Sequence, residues 1–249
     1  MKKLFVILIV SIFSFSGFAQ EEIKLEEKSG LDKIGKEKSD KKFGPNKTHY
    51  IHSHLNVGFM LPPAEGDGAD ILYGKSHIFT YGVRYKLKVV DFFAIGAGLN
   101  YTYQAWHMDQ SASKLVPDDI IYDKEMIKSN NLGGDVFMRF NIGERNDKVG
   151  NYIDLGAYGE WAYGTSRETT INATDPSAPL GSEYSTATNF HLNYLEKANY
   201  GLQARVGYGK FVLFGKYRMS DIFTEEFKTA ISTTDLPRLI VGIEMGMHK

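Results

Sequence analysis

Between Phe92 and His107 apolar and polar positions alternate without a break. Phe93, Ile95, Ala97, Leu99, Tyr101 and Tyr103 are set against Ala94, Gly96, Gly98, Asn100, Thr102 and Gln104. Side chains in a strand point to opposite faces with period two, so the segment predicts a strand with one apolar face and one polar or small face. Seven further segments read the same way: about His49–Leu61, Ser76–Lys88, Asn131–Ile142, Tyr152–Thr165, Ala198–Tyr208, Phe211–Met219 and Pro237–Met247.

The connections between these segments sort by length. Val89–Asp91, Gly143–Gly150 and Gly209–Lys210 are short, whereas Pro62–Lys75, Met108–Asn130, Ser166–Lys197 and Ser220–Leu236 are long. Short turns at one end and long loops at the other, around an even strand count, are the arrangement of a transmembrane barrel. The competing eight-stranded architecture is a lipocalin-type barrel, whose apolar faces point inward around a ligand.

Charge decides between the two. Arg84, Lys86, Asp135, Arg139, Asp154, Glu160, Arg205, Lys216, Arg218 and Glu244 all fall on the face opposite the apolar one. A soluble barrel cannot bury that many charges without partners, and facing lipid each Arg or Lys would cost about 2–4 kcal/mol near the midplane. Inside a narrow barrel they can pair with one another, and a lumen of eight strands is only wide enough to be filled by side chains. The expected fold is therefore all-β: an eight-stranded antiparallel up-and-down transmembrane β-barrel over residues 48–249, apolar outside, with internal salt bridges plugging the lumen. Tyr101, Tyr103, Trp161 and Tyr163 are expected near the outer interface and Phe93, Tyr85, Tyr208 and Phe211 near the inner one, because amphipathic rings favour the headgroup level.

The ends of the chain add a compartment. Lys2 and Lys3, the apolar run Leu4–Phe15 and the small-residue exit Ser16–Ala19 predict a signal peptide over residues 1–19. Residues 20–47 are dense in Lys, Glu and Asp and predict a charged periplasmic segment that does not fold alone. A net charge of −1 gives no reason to expect a nucleic-acid partner. With no Cys among 249 residues, disulfides, thiol catalysis and cysteine metal sites are excluded.

Candidate chemistry is sparse. His49, His52 and His54 cluster at the start of the first strand, but a metal site needs a third ligand in tetrahedral reach and a supporting shell. His77, His107 and His191 fall near the outer rim with Ser76, Ser166 and Ser185, where a nucleophile and base would have to come within hydrogen-bond distance. Asp67 and Asp70 in the first long loop could meet calcium, though Asp and Gly are ordinary loop residues. Asn46 and Asn172 head short glycosylation-type triplets. The sequence assigns no catalytic, cofactor-binding or metal residue, and no cofactor.

The strand ladder resembles the small eight-stranded outer-membrane barrels of the OmpA/OmpX type. The Phe18-Ala19-Gln20 signal end and the final-strand opening Asp235-Leu236-Pro237-Arg238 are similar in style to outer-membrane barrels of Bacteroidota. The resemblance implies a cell outer-membrane protein in contact with the lipid bilayer and lipopolysaccharide. It further implies a non-enzymatic structural or docking role, with protein partners reached through the extracellular loops or the charged N-terminal segment. Three alternatives stay open: an accessory subunit of a secretion or assembly complex, a lipid A-modifying enzyme, and a narrow channel.

Overall fold

The computed structural model describes residues 42–63, 68–143, 149–172, 184–232 and 235–247. The predicted signal peptide and the charged segment up to residue 41 lie outside these residues. All elements below belong to the unit Gly44–Lys249.

The elements are β1 (His49–Leu61), β2 (His77–Val90), β3 (Phe93–His107), β4 (Lys124–Ile142), β5 (Asn151–Asn172), β6 (Tyr184–Phe190), β7 (Ala198–Tyr208), β8 (Phe211–Arg218), a short helix α1 (Glu225–Ile231) and β9 (Leu239–Met247). Every strand pairing is antiparallel, and eight strands form a ring in the order β1-β2-β3-β4-β5-β7-β8-β9. The register Ser53↔Met247 to Leu61↔Leu239 joins β9 back to β1 and closes it. The strands of the ring are those the alternation predicts, and the predicted face assignment holds. All ten charges of the polar face are buried, while Leu99, Val136, Leu213 and Ile243 on the opposite face are more than half exposed. Closure leaves no ladder edge in the wall, which is the condition for crossing hydrocarbon with strands.

Two features depart from the sequence reading. β4 begins seven residues before Asn131, and β5 continues to Asn172, so both rise beyond the ring on the long-loop side. β6 pairs with that extension alone, from Ser166↔Phe190 to Asn172↔Tyr184, inside what the sequence predicts as a loop. Polar Ser and Thr dominate this hairpin on both faces, so no apolar alternation marks it.

A bulge sets its geometry. Register steps from Asn131↔Ala162 to Asn130↔Gly164, leaving Tyr163 as the extra residue. One inserted residue exchanges the faces of everything that follows. Below it the even positions of β5 (Asp154, Tyr158, Glu160) are the buried ones; above it the odd position Thr169 is.

Candidate functional site

Inside the barrel the charges are paired. Arg84 on β2 reaches across β1 to Glu244 on β9, with Nη1 to Oε1 2.6 Å and Nη2 to Oε2 3.1 Å. Arg139 donates from Nε and Nη2 to the two Asp154 oxygens at 2.7 and 2.8 Å. Arg205 lies between Asp135 at 3.3 Å and Asp154 at 3.2 Å. Nearer the long loops, Glu160 accepts from Lys216 at 3.1 Å, Thr102 at 3.2 Å and Gln104 at 3.2 Å. Bidentate, charge-assisted bonds of this kind are the stronger class of hydrogen bond.

Phe137 is an apolar ring set among the charges of this face. Three guanidinium groups surround its ring: Arg205 at 4.7 Å, Arg139 at 5.5 Å and Arg84 at 5.6 Å from the centroid. Cations favour the negative face of an aromatic ring when water is excluded. The ring has room because its cross-strand neighbour is Gly96, where a Cβ would come within 2.2 Å of Phe137 Cζ.

Over the long-loop mouth the connections fold into an apolar cap. Ala69 and Ile71, Met108 and Val116, Leu195, and Ile222, Phe223 and Leu236 come from four different connections. They pack on Met60, Ile78, Trp106, Ile127, Phe214 and Ile240 from the barrel wall. Helix α1 presents Phe227 to the same cluster, with its ring stacked on Tyr194 at 4.8 Å. Thr224 caps the helix by accepting from the Phe227 backbone N–H, and Glu225 and Glu226 occupy its first turn, where the helix dipole favours acids. At the short-turn end a smaller cluster joins Tyr50, Val149, Tyr152 and Val212.

Ion pairs pin the cap. Arg167 donates to Glu125 and to Asp118 at 2.6 Å each, and Lys114 pairs with Glu125 at 2.7 Å. Lys114 also reaches the carbonyl of Ile120, and Tyr122 lies beneath both cations at 5.0 and 5.4 Å. Burial pushes the Asp118 carboxyl up, but the Arg167 hydrogen bond and the charges of Arg167 and Lys114 outweigh it and hold it below the usual carboxylate range. A second knot ties the last long connection: Asp221 pairs with Lys228 at 2.5 Å and with Arg238, and Arg218 pairs with Asp235 at 2.7 Å. There too burial works against the ionised form, and the hydrogen bonds from Lys228 and Arg238 win and lower the Asp221 pKa.

The candidates singled out in the sequence fall as follows. His52 and His54 both face the lumen with rings 6.4 Å apart. His52 stacks on Tyr50, and His54 Nε2 faces Arg84 Nη2 at 3.3 Å. His49 points the other way, toward the Tyr85 hydroxyl at 2.8 Å. Among the described residues no three His, Cys, Asp or Glu side chains converge as a metal set. Ser76 Oγ is buried and accepts from the His107 backbone N–H at 3.0 Å, while His77 Nδ1 lies 2.7 Å from the Lys75 carbonyl oxygen. Ser166 sits opposite Phe190, and Ser185 opposite Ile171. Asp67 and the triplet after Asn172 lie outside the described residues. Sequence reasoning missed Arg167 as a functional position, because its inward aim depends on the bulge at Tyr163.

No curated protein matches the chain. Residues 42–223 match the family described as the outer membrane protein beta-barrel domain. That match covers all but the last strand of the ring, and a closed wall of eight strands, apolar outside and charged within, is the architecture such a domain requires. The chain belongs to the outer membrane protein beta-barrel domain family and is an outer-membrane protein in contact with membrane lipid.

Proposed function

We propose that this outer-membrane barrel is a non-enzymatic structural or docking element of the small OmpA/OmpX kind, with its lumen plugged. The observation that carries the reading is the stack of buried ion pairs, Arg84–Glu244, Arg139–Asp154 and Lys216–Glu160, beneath an apolar cap contributed by the long connections. Each pair sets a cation directly against a carboxylate, so the lumen meets a permeating ion with neutralised pairs in place of free charges. Planar-bilayer recording of the purified chain tests this: the expected outcome is no resolved conductance, and regular unitary steps would replace it with the narrow-channel reading.

The docking half draws on β6. Among the described residues its strand pairs with β5 alone; it is uncharged, free of Gly and Pro, and exposes Tyr184 and Phe190. Natural edge strands are commonly blunted by charge, proline or a bulge, and an extended partner segment adds to an edge that lacks these. This favours the accessory-subunit reading, in which a partner protein docks on the long-loop side. Native pull-down from membranes is the test, with Thr188→Lys placing a charge on the edge: partners lost in the variant support docking there, and an unchanged partner set counts against it.

A further inference from the structure

On β2, β3 and β4 the outward face changes character at the long-loop end. Phe79 and Tyr81 on β2 and Tyr101 and Tyr103 on β3 point to the lipid side; the next outward position on β2 is His77, and on β3 the buried Ala105 precedes His107. The His77 ring lies 6.2 Å from the Tyr103 ring and 6.2 Å from the His107 ring. Lys128 on β4 shares this face, since His77 pairs with Ala105 and Ala105 with Lys128. Lys75, two residues before His77, is exposed, and His107 feels the charges of both lysines. One acid lies among them: Glu168, paired with Lys128 at 2.6 Å. The outward positions at the ends of β1, β9, β8 and β7 are Leu61, Leu239, Tyr217 and Ala198 instead.

We propose that Lys75, His77, His107 and Lys128 form a binding site for the phosphate of a glycolipid headgroup, the lipopolysaccharide of the outer leaflet. Aromatic belts mark the headgroup level of a membrane protein; His77 and Lys128 stand two strand residues, about 7 Å, beyond the Phe79–Tyr103 level, and His107 four residues, about 13 Å, beyond it. The basic groups therefore stand where lipid phosphates stand. Lysine ammonium groups and imidazole N–H groups are donors suited to phosphate oxygens. The long loops assign this end to the outer leaflet, which selects the glycolipid over a phospholipid. The site rests on the outward orientation of these strands in the outer membrane and not on a plugged lumen or a docking partner.

The test uses the full chain in nanodiscs, titrated with purified lipid A, with dephosphorylated lipid A and with phosphatidylglycerol, and read by native mass spectrometry. Lipid A is expected to bind and its dephosphorylated form to bind far more weakly. Lys75→Gln with Lys128→Gln is expected to lower the affinity about tenfold, since each cation near a charged membrane surface contributes on the order of a factor of several. His77→Gln with His107→Gln is a second, independent pair. Heat-modifiable gel migration, unchanged in both, reports that the barrel is intact, and bilayer conductance reports separately on the lumen. Equal lipid A binding by both variants would overturn the site, as would equally tight binding of phosphatidylglycerol.

Discussion

Gly96 and Phe137 face each other across β3 and β4, and a Cβ at residue 96 would sit 2.2 Å from the Phe137 ring. The absence of a side chain on one strand thus makes the berth for the ring around which Arg84, Arg139 and Arg205 gather. Gly96→Val should displace that ring and lower unfolding stability by about 1–3 kcal/mol, the usual range for overpacking a filled interior. Gly159 is the control, because a Cβ there meets nothing within 4 Å; Gly159→Val should leave the urea midpoint nearly unchanged. Equal midpoints for the two variants would remove Phe137 as the organiser of the lumen.

The Arg84–Glu244 pair predicts a different pattern. Both side chains are 1% exposed, so removing one partner strands a buried charge. Glu244→Gln alone should cost about 3–5 kcal/mol, whereas Arg84→Met with Glu244→Met should cost clearly less than either single change summed with the other, since buried ion pairs are often replaceable by apolar residues. A double-mutant cycle in urea is the measurement. Additive losses would mean that the pair is not coupled.

The wall was legible in the sequence to a degree that the lumen pairings and the cap were not. Alternation places Arg84 and Glu244 on the inner face from their positions in β2 and β9, because face follows from parity alone. Which inward charge meets which depends on strand tilt and stagger, quantities that the sequence does not write out; hence the contact skipping over β1. The polar hairpin of β5 and β6 has water on both sides, so no period-two apolar signal announces it. Arg167 is the sharpest case: parity counted from Trp161 puts it outside, and the single extra residue at Tyr163 brings it in to Glu125. The histidines near the rim show the limit of spacing arguments, since Ser76 and His107 do meet, but through the backbone N–H and not through the imidazole.

Arg167 should therefore be the hinge pin of the cap. It joins Glu125 on β4 and Asp118 in the connection before it. Arg167→Gln removes the charge and shortens the side chain so that it no longer bridges Glu125 and Asp118, and should speed amide exchange throughout 108–123 with little effect on the ring strands. Slowed or unchanged exchange there would show that the apolar cluster holds the connection without the ion pairs.

Acidification should open that connection in a defined window. The Asp118 carboxyl is held below its ordinary value, and a group with a depressed folded-state pKa stabilises at pH above its unfolded value of about 3.9, losing that contribution as pH falls through the folded value. Asp221 carries the same sign in the last long connection. Hydrogen exchange in 108–123 and 219–232, corrected for its intrinsic pH dependence, should stay flat from pH 8 to about 5 and rise only below about 4, where these carboxylates take up protons. Asp118→Asn should raise exchange in 108–123 at neutral pH and flatten the remaining acid response of that segment, while 219–232 keeps its own. A rise beginning between about pH 6 and 7, the range of an ordinary imidazole, would mean that the aspartates do not control the cap.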